Sequence, residues 1–331
     1  MESALSPAKI FFHSTVRTPF VEEDLTTLKK HFEVRFSFAC GPAAVPAILS
    51  AVPRADLTFN WFASVYSFVA VSAARLAGKK SLVVLGGVDV AKEPEIGYGL
   101  WLSLWKGALV GRALRHADAV LSVDPSLSRQ AAARAKYAGR NIEYVPTGYD
   151  SRYWVPLGSK QQVVLTVAGC RDTVRARAKG IDFLCTVARN LPDVRFRLVG
   201  VDAGIDDWVH SMAPPTMEIL PFLSREELRR EYQSAKVYCQ PSFAEGLPNS
   251  LCEAMLCGCV PVGTDVGGIP TAVGGRPLAR YGDVTGLGDL LREALAAPES
   301  VGLEGRDRIA KTFTCERRES ELIRIISRVL G

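Results

Sequence analysis

The chain has no Asp-x-Asp run, no Gly-x-Gly-x-x-Gly and no Cys-x-x-Cys among its 331 residues. The first absence removes a common carboxylate pair for holding a divalent ion between phosphates. The second removes the dinucleotide fingerprint from the two strands it would follow, Lys9–His13 and Val163–Val167, and with it an NAD-dependent dehydrogenase. The third excludes a zinc module, and the scatter of the cysteines (Cys40, Cys170, Cys185, Cys239, Cys252, Cys257, Cys259 and Cys315) argues against a disulfide scaffold. The thiols read as reduced, as in a cytoplasmic protein. Cys257-Gly258-Cys259 reads as small residues packing at a helix-to-strand turn. Low-complexity tracts, heptads and short repeats are also missing. Met1–Lys9 has neither the basic start nor the apolar core of a signal peptide, and no uninterrupted apolar run reaches the roughly 18 residues of a spanning helix.

What is present is ample core: 48% of the residues are hydrophobic, enough for two domains at roughly 150 residues each. The formal charge is +5, and it belongs to one half. Residues 1–155 hold 18 Lys/Arg against 13 Asp/Glu, while residues 156–331 hold 22 of each. Such an excess suits an anionic partner, a phospholipid surface or a phosphorylated acceptor, or else an ordinary solvated surface. No feature points to nucleic acid.

Short β-rich runs alternate with helical patterns from the start: Lys9–His13, Glu22–Phe32, Glu33–Ala39, Ala43–Ala51, Leu57–Phe62, Val65–Ala77 and Ser81–Leu85. A long helical stretch over Tyr98–His116 follows, then a strand at Ala119–Val123, a helix at Leu127–Ala138 and a strand near Ile142–Val145. Turn formers from Pro146 to Gly158 interrupt the rhythm, which restarts at Val163–Val167 and runs to Val260–Gly263. The expectation is an α/β chain of two Rossmann-like, doubly wound parallel-sheet domains, 1–155 and 156–331, with ligand in the cleft between them. Cys315–Leu330 has the apolar spacing of an amphipathic helix, expected to pack back on the first domain.

The segment Pro241-Ser-Phe-Ala-Glu245-Gly-Leu-Pro-Asn-Ser-Leu-Cys-Glu253-Ala-Met255 follows a predicted strand and opens a helix. Gly246 frees the turn ahead of Leu247, Pro248 suits a first helical position, and Asn249 and Ser250 lie where exposed amide N–H groups face outward. A helix start of this kind seats a diphosphate. Glu245 before the turn and Glu253 within the helix are spaced to reach opposite ends of one ligand, sugar hydroxyls for one and a ribose diol for the other.

This segment resembles the E-x7-E signature of the family 4 retaining glycosyltransferases, and Gly258-Cys-Val-Pro-Val262 and Gly267-Gly-Ile-Pro270 extend the likeness. The resemblance implies a GT-B fold and transfer of a sugar from a nucleoside diphosphate sugar to a hydroxyl acceptor, with retention and without a metal. It also implies a basic pair that neutralises the departing diphosphate. Arg171 and Lys179 match that pair, although Arg175 and Arg177 compete with Arg171. Glu218-Ile-Leu220-Pro-Phe222 resembles the loop that frames the base, or is plain core strand. Tyr144-Val-Pro-Thr-Gly148-Tyr-Asp150 resembles the family's interdomain run, with Thr147 where asparagine is usual.

The first half departs from the family. Its glycine pair after the first strand is replaced by His13-Ser-Thr-Val-Arg17, and Leu85-Gly86-Gly87-Val-Asp89 lacks the usual histidine. Asp89, with Glu93 and Glu95 behind it, is the substitute candidate for sugar or acceptor hydroxyls. These departures keep open a non-catalytic nucleotide-sugar-binding subunit; a nucleotide-sugar epimerase is a further reading on the same fold. Trp101 and Trp105 beside Lys106, Arg112 and Arg115 have the composition of an interfacial helix, or of ordinary core packing. The chain is thus expected in the cytoplasm, free or peripheral on the inner membrane face.

Overall fold

In the computed structural model, which describes residues 7–331, the chain divides into two compact units. Met1–Ser6, most of the opening run read above as no leader, lie outside the described residues. The first unit comprises residues up to Lys92, Gly99–Thr147 and Glu316–Gly331; the second comprises Glu93–Tyr98 and Gly148–Cys315. The units therefore part at Thr147/Gly148, ahead of the expected boundary at 155/156.

The first unit is built on a six-stranded parallel sheet of order β2-β1-β3-β4-β5-β6: β1 (Lys9–Ser14), β2 (Glu33–Phe38), β3 (Leu57–Trp61), β4 (Lys80–Leu85), β5 (Ala119–Ser122) and β6 (Ile142–Tyr144). β1, β3, β4 and β5 are buried almost throughout, as strands covered on both faces must be, and they are mainly apolar, with Thr58 and Asn60 enclosed in β3 and His13 and Ser14 at the end of β1. The second unit carries a five-stranded parallel sheet, β11-β10-β7-β8-β9: β7 (Gln161–Cys170), β8 (Arg195–Val201), β9 (Met217–Leu220), β10 (Ala235–Gln240) and β11 (Val260–Gly263). The chain steps outward from β7 to β9 and then crosses to the other side of β7 for β10. This puts the topological switch point, where open α/β sheets leave a crevice, at the carboxyl ends of β7 and β10.

The helix Cys315–Leu330 belongs to the first unit. Its apolar face buries Leu322, Ile325 and Ile326, but its deepest tie is polar. Arg318 makes a two-pronged bond to Asp24, Nε to Oδ1 at 3.0 Å and Nη2 to Oδ2 at 2.6 Å, and donates to the Val145 carbonyl. Trp61 Nε1 donates to the same carboxylate at 2.9 Å. Every charged atom of the pair is thus occupied, which is what makes a buried ion pair tolerable.

Several expected elements differ. The stretch expected as one helix over Tyr98–His116 is broken: Gly97 and Gly99 take positive φ, a single 3-10 turn spans Leu100–Leu102, and the helix runs Leu104–His116. A side chain at Gly99 would meet the Ala91 carbonyl at 2.2 Å, so the chain can turn there only without one. The next helix is Pro125–Ala135, capped by Asp124 and ended by left-handed Lys136. The helices Val284–Ala296 and Glu299–Thr312 carry two glycines each, which weakens the helical signal in sequence. In the second of them a side chain at Gly302 would lie 2.1 Å from the Gly258 carbonyl, so glycine permits the close packing of that helix.

His13, at the end of β1, is 1% exposed, and neither ring nitrogen makes a hydrogen bond of proper geometry. Burial pushes its pKa from 6.5 down to about 4, offset only in part by the Ser37 backbone. The unfolded chain therefore takes up this proton first as pH falls, and stability that is complete above 6.5 drains away through about 4. Denaturant unfolding of the chain and of His13→Leu should show the difference between the two curves changing by about 3 kcal/mol over that interval. A constant difference would show that His13 does not titrate on unfolding.

Candidate functional site

The residues singled out between Arg171 and Glu253 converge at the switch point of the second unit. β7 ends at Cys170, and the loop after it carries Arg171, the short helix Thr173–Ala178 and Lys179. β10 ends at Gln240, and the loop after it carries Glu245 into the helix Asn249–Leu256. The two loops are clipped together through backbone: Phe243 and Ala244 N–H both donate to the Ala178 carbonyl, at 2.9 and 3.2 Å. Gly180, at φ +72°, lies so close to Pro241 that a Cβ would sit 1.9 Å from its carbonyl oxygen. Gly267, at φ +55°, approaches the Glu245 carbonyl in the same way, at 2.1 Å. Two positions that only glycine fills without strain thus fix the backbone on either side of Glu245.

The outcome is an ion pair, Lys179 Nζ to Glu245 Oε2 at 2.6 Å, with side-chain exposures of 32% and 10%. The same oxygen accepts from Ser242 Oγ at 3.1 Å and Gln240 Nε2 at 3.4 Å, while Oε1 accepts from the Gly246 N–H at 3.3 Å. Burial would lower the pKa of Lys179, but the Glu245 charge and its hydrogen bond outweigh burial and the net direction is upward. The ammonium stays protonated at neutral pH. Tyr98 adds to that direction from the segment Glu93–Tyr98, which holds Glu93 and Glu95 and packs on the helix Thr173–Ala178.

Gly246, Leu247 and Pro248 are buried, and no side chain caps the helix that Pro248 opens. Asn249 Oδ1 accepts from the Tyr149 hydroxyl at 2.8 Å, and Ser250 Oγ donates to Gln240 Oε1 at 3.4 Å. Glu253, half-buried, accepts at Oε2 from the Tyr232 hydroxyl at 3.2 Å. Arg171 is exposed, its guanidinium 5.8 Å from the centre of the Phe222 ring beyond β9, which ends at Leu220. Gln240, Tyr232 and Gly180 are site residues that the sequence reading does not single out, and Ser242 and Gly267 enter it only as parts of longer matching segments. A buried-strand run, Val237-Tyr-Cys239, that ends on a glutamine is the signal that points to Gln240.

Asp89 corrects an expectation. It lies in the first unit, 1% exposed, and its carboxylate accepts from the N–H groups of Ala63, Gly86 and Gly87 at 2.7 to 3.2 Å. Burial raises its pKa against those bonds. Rather than reaching for a hydroxyl, Asp89 ties the ends of β3 and β4 together beside Phe62, a non-glycine residue at φ 66°. His13 is likewise enclosed. Trp101 donates Nε1 to the Asp89 carbonyl and rests on Gly107, whereas Trp105 is 59% exposed.

Two parallel Rossmann-like sheets in one chain are the architecture of the GT-B fold, and solved structures of that fold match it over nearly its whole length. HepE of Anabaena, determined with UDP, superposes with a TM-score of 0.77 at 16% identity, covering 97% of this chain and 100% of that one. Sucrose-phosphate synthase of Thermosynechococcus elongatus gives 0.78 at 15% identity, covering 97% and 98%. At the level of sequence, residues 161–297 match the family described as glycosyl transferases group 1. D-inositol 3-phosphate glycosyltransferases of Mycobacterium sp. (strain KMS) and Mycobacteroides abscessus are 35% identical over 104 residues and 33% over 112. Each match takes in 29% of this chain, and it spans about a quarter, 24%, of the relative's length. The family match, residues 161–297, therefore falls within the second unit, where the ion pair lies.

Asp89→Ala strands three N–H donors, that of Ala63 buried and those of Gly86 and Gly87 half-buried, and should cost about 3 kcal/mol in urea unfolding, whereas Asp89→Asn should cost less. An Asp89→Ala chain with unchanged stability would contradict the bracing role.

Proposed function

We propose that the chain is a retaining glycosyltransferase that moves a sugar from a nucleoside diphosphate sugar to a hydroxyl acceptor without a bound metal. The observation that carries this reading is the Lys179–Glu245 pair, 2.6 Å apart, held at the switch point beside an uncapped helix start. Anionic diphosphate suits that corner: the first-turn amides and the fixed ammonium supply the positive field, and Arg171 adds charge from the exposed loop. Support comes from the family likeness over residues 161–297 and from the HepE structures, which were determined in complex with UDP and with UDP-glucose.

The roles follow from hydrogen-bond capacity. Glu245 Oε2 already serves Lys179, Ser242 and Gln240, but among the described residues Oε1 meets only its neighbouring amide, so it is the oxygen left to accept from a sugar hydroxyl. Glu253, aimed by Tyr232, accepts from the ribose diol. Leu220 and Phe222 frame the base, with Phe222 also carrying Arg171. As the bond from the anomeric carbon to the phosphate oxygen breaks, negative charge grows on the diphosphate. Lys179 and Arg171 neutralise it, the work that a metal does elsewhere. The acceptor oxygen bonds to the anomeric carbon on the same face, and its proton passes to the leaving phosphate, so no protein base is required.

Lys179→Ala should lower kcat by about 10²- to 10³-fold with a smaller change in KM, the signature of a group acting mainly on the leaving charge. Glu253→Ala should weaken binding of the preferred nucleoside diphosphate by about tenfold or more. Thermal shift with UDP, GDP and ADP identifies that nucleotide, since ligand at 100 times its Kd adds about 2.7 kcal/mol of stability. No shift with any of the three, or unchanged kinetics in both variants, would overturn the assignment.

A further inference from the structure

The first unit carries a second concentration of charge that the transfer reading does not use. Residues 104–140 hold seven Lys/Arg against two Asp/Glu, an excess equal to the +5 of the entire chain. Neither acid offsets that excess at the surface. Asp118 accepts from the Ser81 N–H and hydroxyl and pairs with Lys80, and Asp124 is buried as the cap of the helix Pro125–Ala135.

The helices Leu104–His116 and Pro125–Ala135 pack side by side, and a cavity of about 190 Å³ opens between them. Trp101 forms its apolar side and Gly107 and Gly111 its floor; Arg112, Arg115, Arg134 and Lys136 supply cations, and no carboxylate lines it. Arg115 is held by the Ala135 carbonyl and Arg134 by the Val90 carbonyl, so two guanidinium groups are fixed in place. Along the same helix face the surface turns apolar: Leu104 is 86% exposed, Trp105 59% and Leu102 36%, with the Lys106 ammonium 5.6 Å from the centre of the Trp105 ring.

From this juxtaposition of a phosphate-sized basic cavity and an exposed Leu-Trp step on one helix, we propose that this face binds the surface of a membrane containing anionic phospholipid. Headgroup phosphate enters the cavity, and Leu104 and Trp105 enter the headgroup boundary. Each cation near such a surface contributes, and a short apolar step converts loose attraction into docking. A soluble polyanion such as RNA would satisfy the cations but gain nothing from Leu104 and Trp105, which would stay in water. Among the described residues no helix is long and apolar enough to cross a membrane, so the contact is one of lying on the surface. The inference stands apart from the transferase reading, because its test does not depend on turnover.

Co-sedimentation of the full chain with vesicles of phosphatidylglycerol and phosphatidylcholine should show binding that weakens with salt, and vesicles of phosphatidylcholine alone should leave the chain in the supernatant. Arg112→Gln with Lys136→Gln, two exposed positions whose loss leaves the fold unchanged by circular dichroism, should weaken binding about thirtyfold. Leu104→Ser with Trp105→Ser should weaken it as well. Equal pelleting with neutral vesicles, no pelleting with either, or an undiminished double-glutamine variant would overturn the proposal. So would capture of a short RNA duplex or of inorganic phosphate alone, with no vesicle binding.

Discussion

One ion pair organises the second unit's working corner. Lys179 and Glu245 are 66 residues apart in sequence and meet at 2.6 Å because their loops leave neighbouring parallel strands at the point where the strand order reverses. A lone ammonium so placed would lose solvation without return, and burial does push its pKa down; the carboxylate reverses that direction. The pair is therefore mutually required: each charge is tolerable there because the other is present.

Its precision rests on backbone rather than on the charged groups. The Ala178 carbonyl receives two N–H groups from the opposite loop, and Gly180 and Gly267 admit neighbouring carbonyls where any side chain would collide. Around the carboxylate, Gln240 joins Glu245 to Ser250 in the first turn of the helix, so the helix start and the ion pair share one hydrogen-bonded frame. A frame assembled in advance does not have to reorganise as charge develops on a leaving group.

The legible parts of this protein were the ones encoded locally. Strand-helix alternation, the helix start in Pro241–Met255 and the amphipathic end helix are patterns of neighbouring residues, and strands and helices form over most of the expected stretches, the broken run at Tyr98–His116 excepted. Asp89 shows where such reading stops. A carboxylate just past a strand looks the same in sequence whether it faces a ligand or three backbone amides, and here it faces the amides. Gln240 and Ser242 gave almost no signal, because their partners lie in the loop that follows and in the first turn of the next helix, brought together only when that loop folds back. The glycine-bearing helices Val284–Ala296 and Glu299–Thr312 were obscured for a different reason: tertiary packing selected residues that local propensity disfavours.

A double-mutant cycle on Lys179→Ala and Glu245→Ala, read as calorimetric binding of whichever of UDP, GDP or ADP the chain prefers, tests the central claim most directly. If the pair acts as one unit on the diphosphate, the double variant should bind no more weakly than Lys179→Ala alone, leaving a coupling of 1 kcal/mol or more at roughly the scale known for contacting residues. Additive losses within about 0.5 kcal/mol, or no loss from Lys179→Ala, would contradict it.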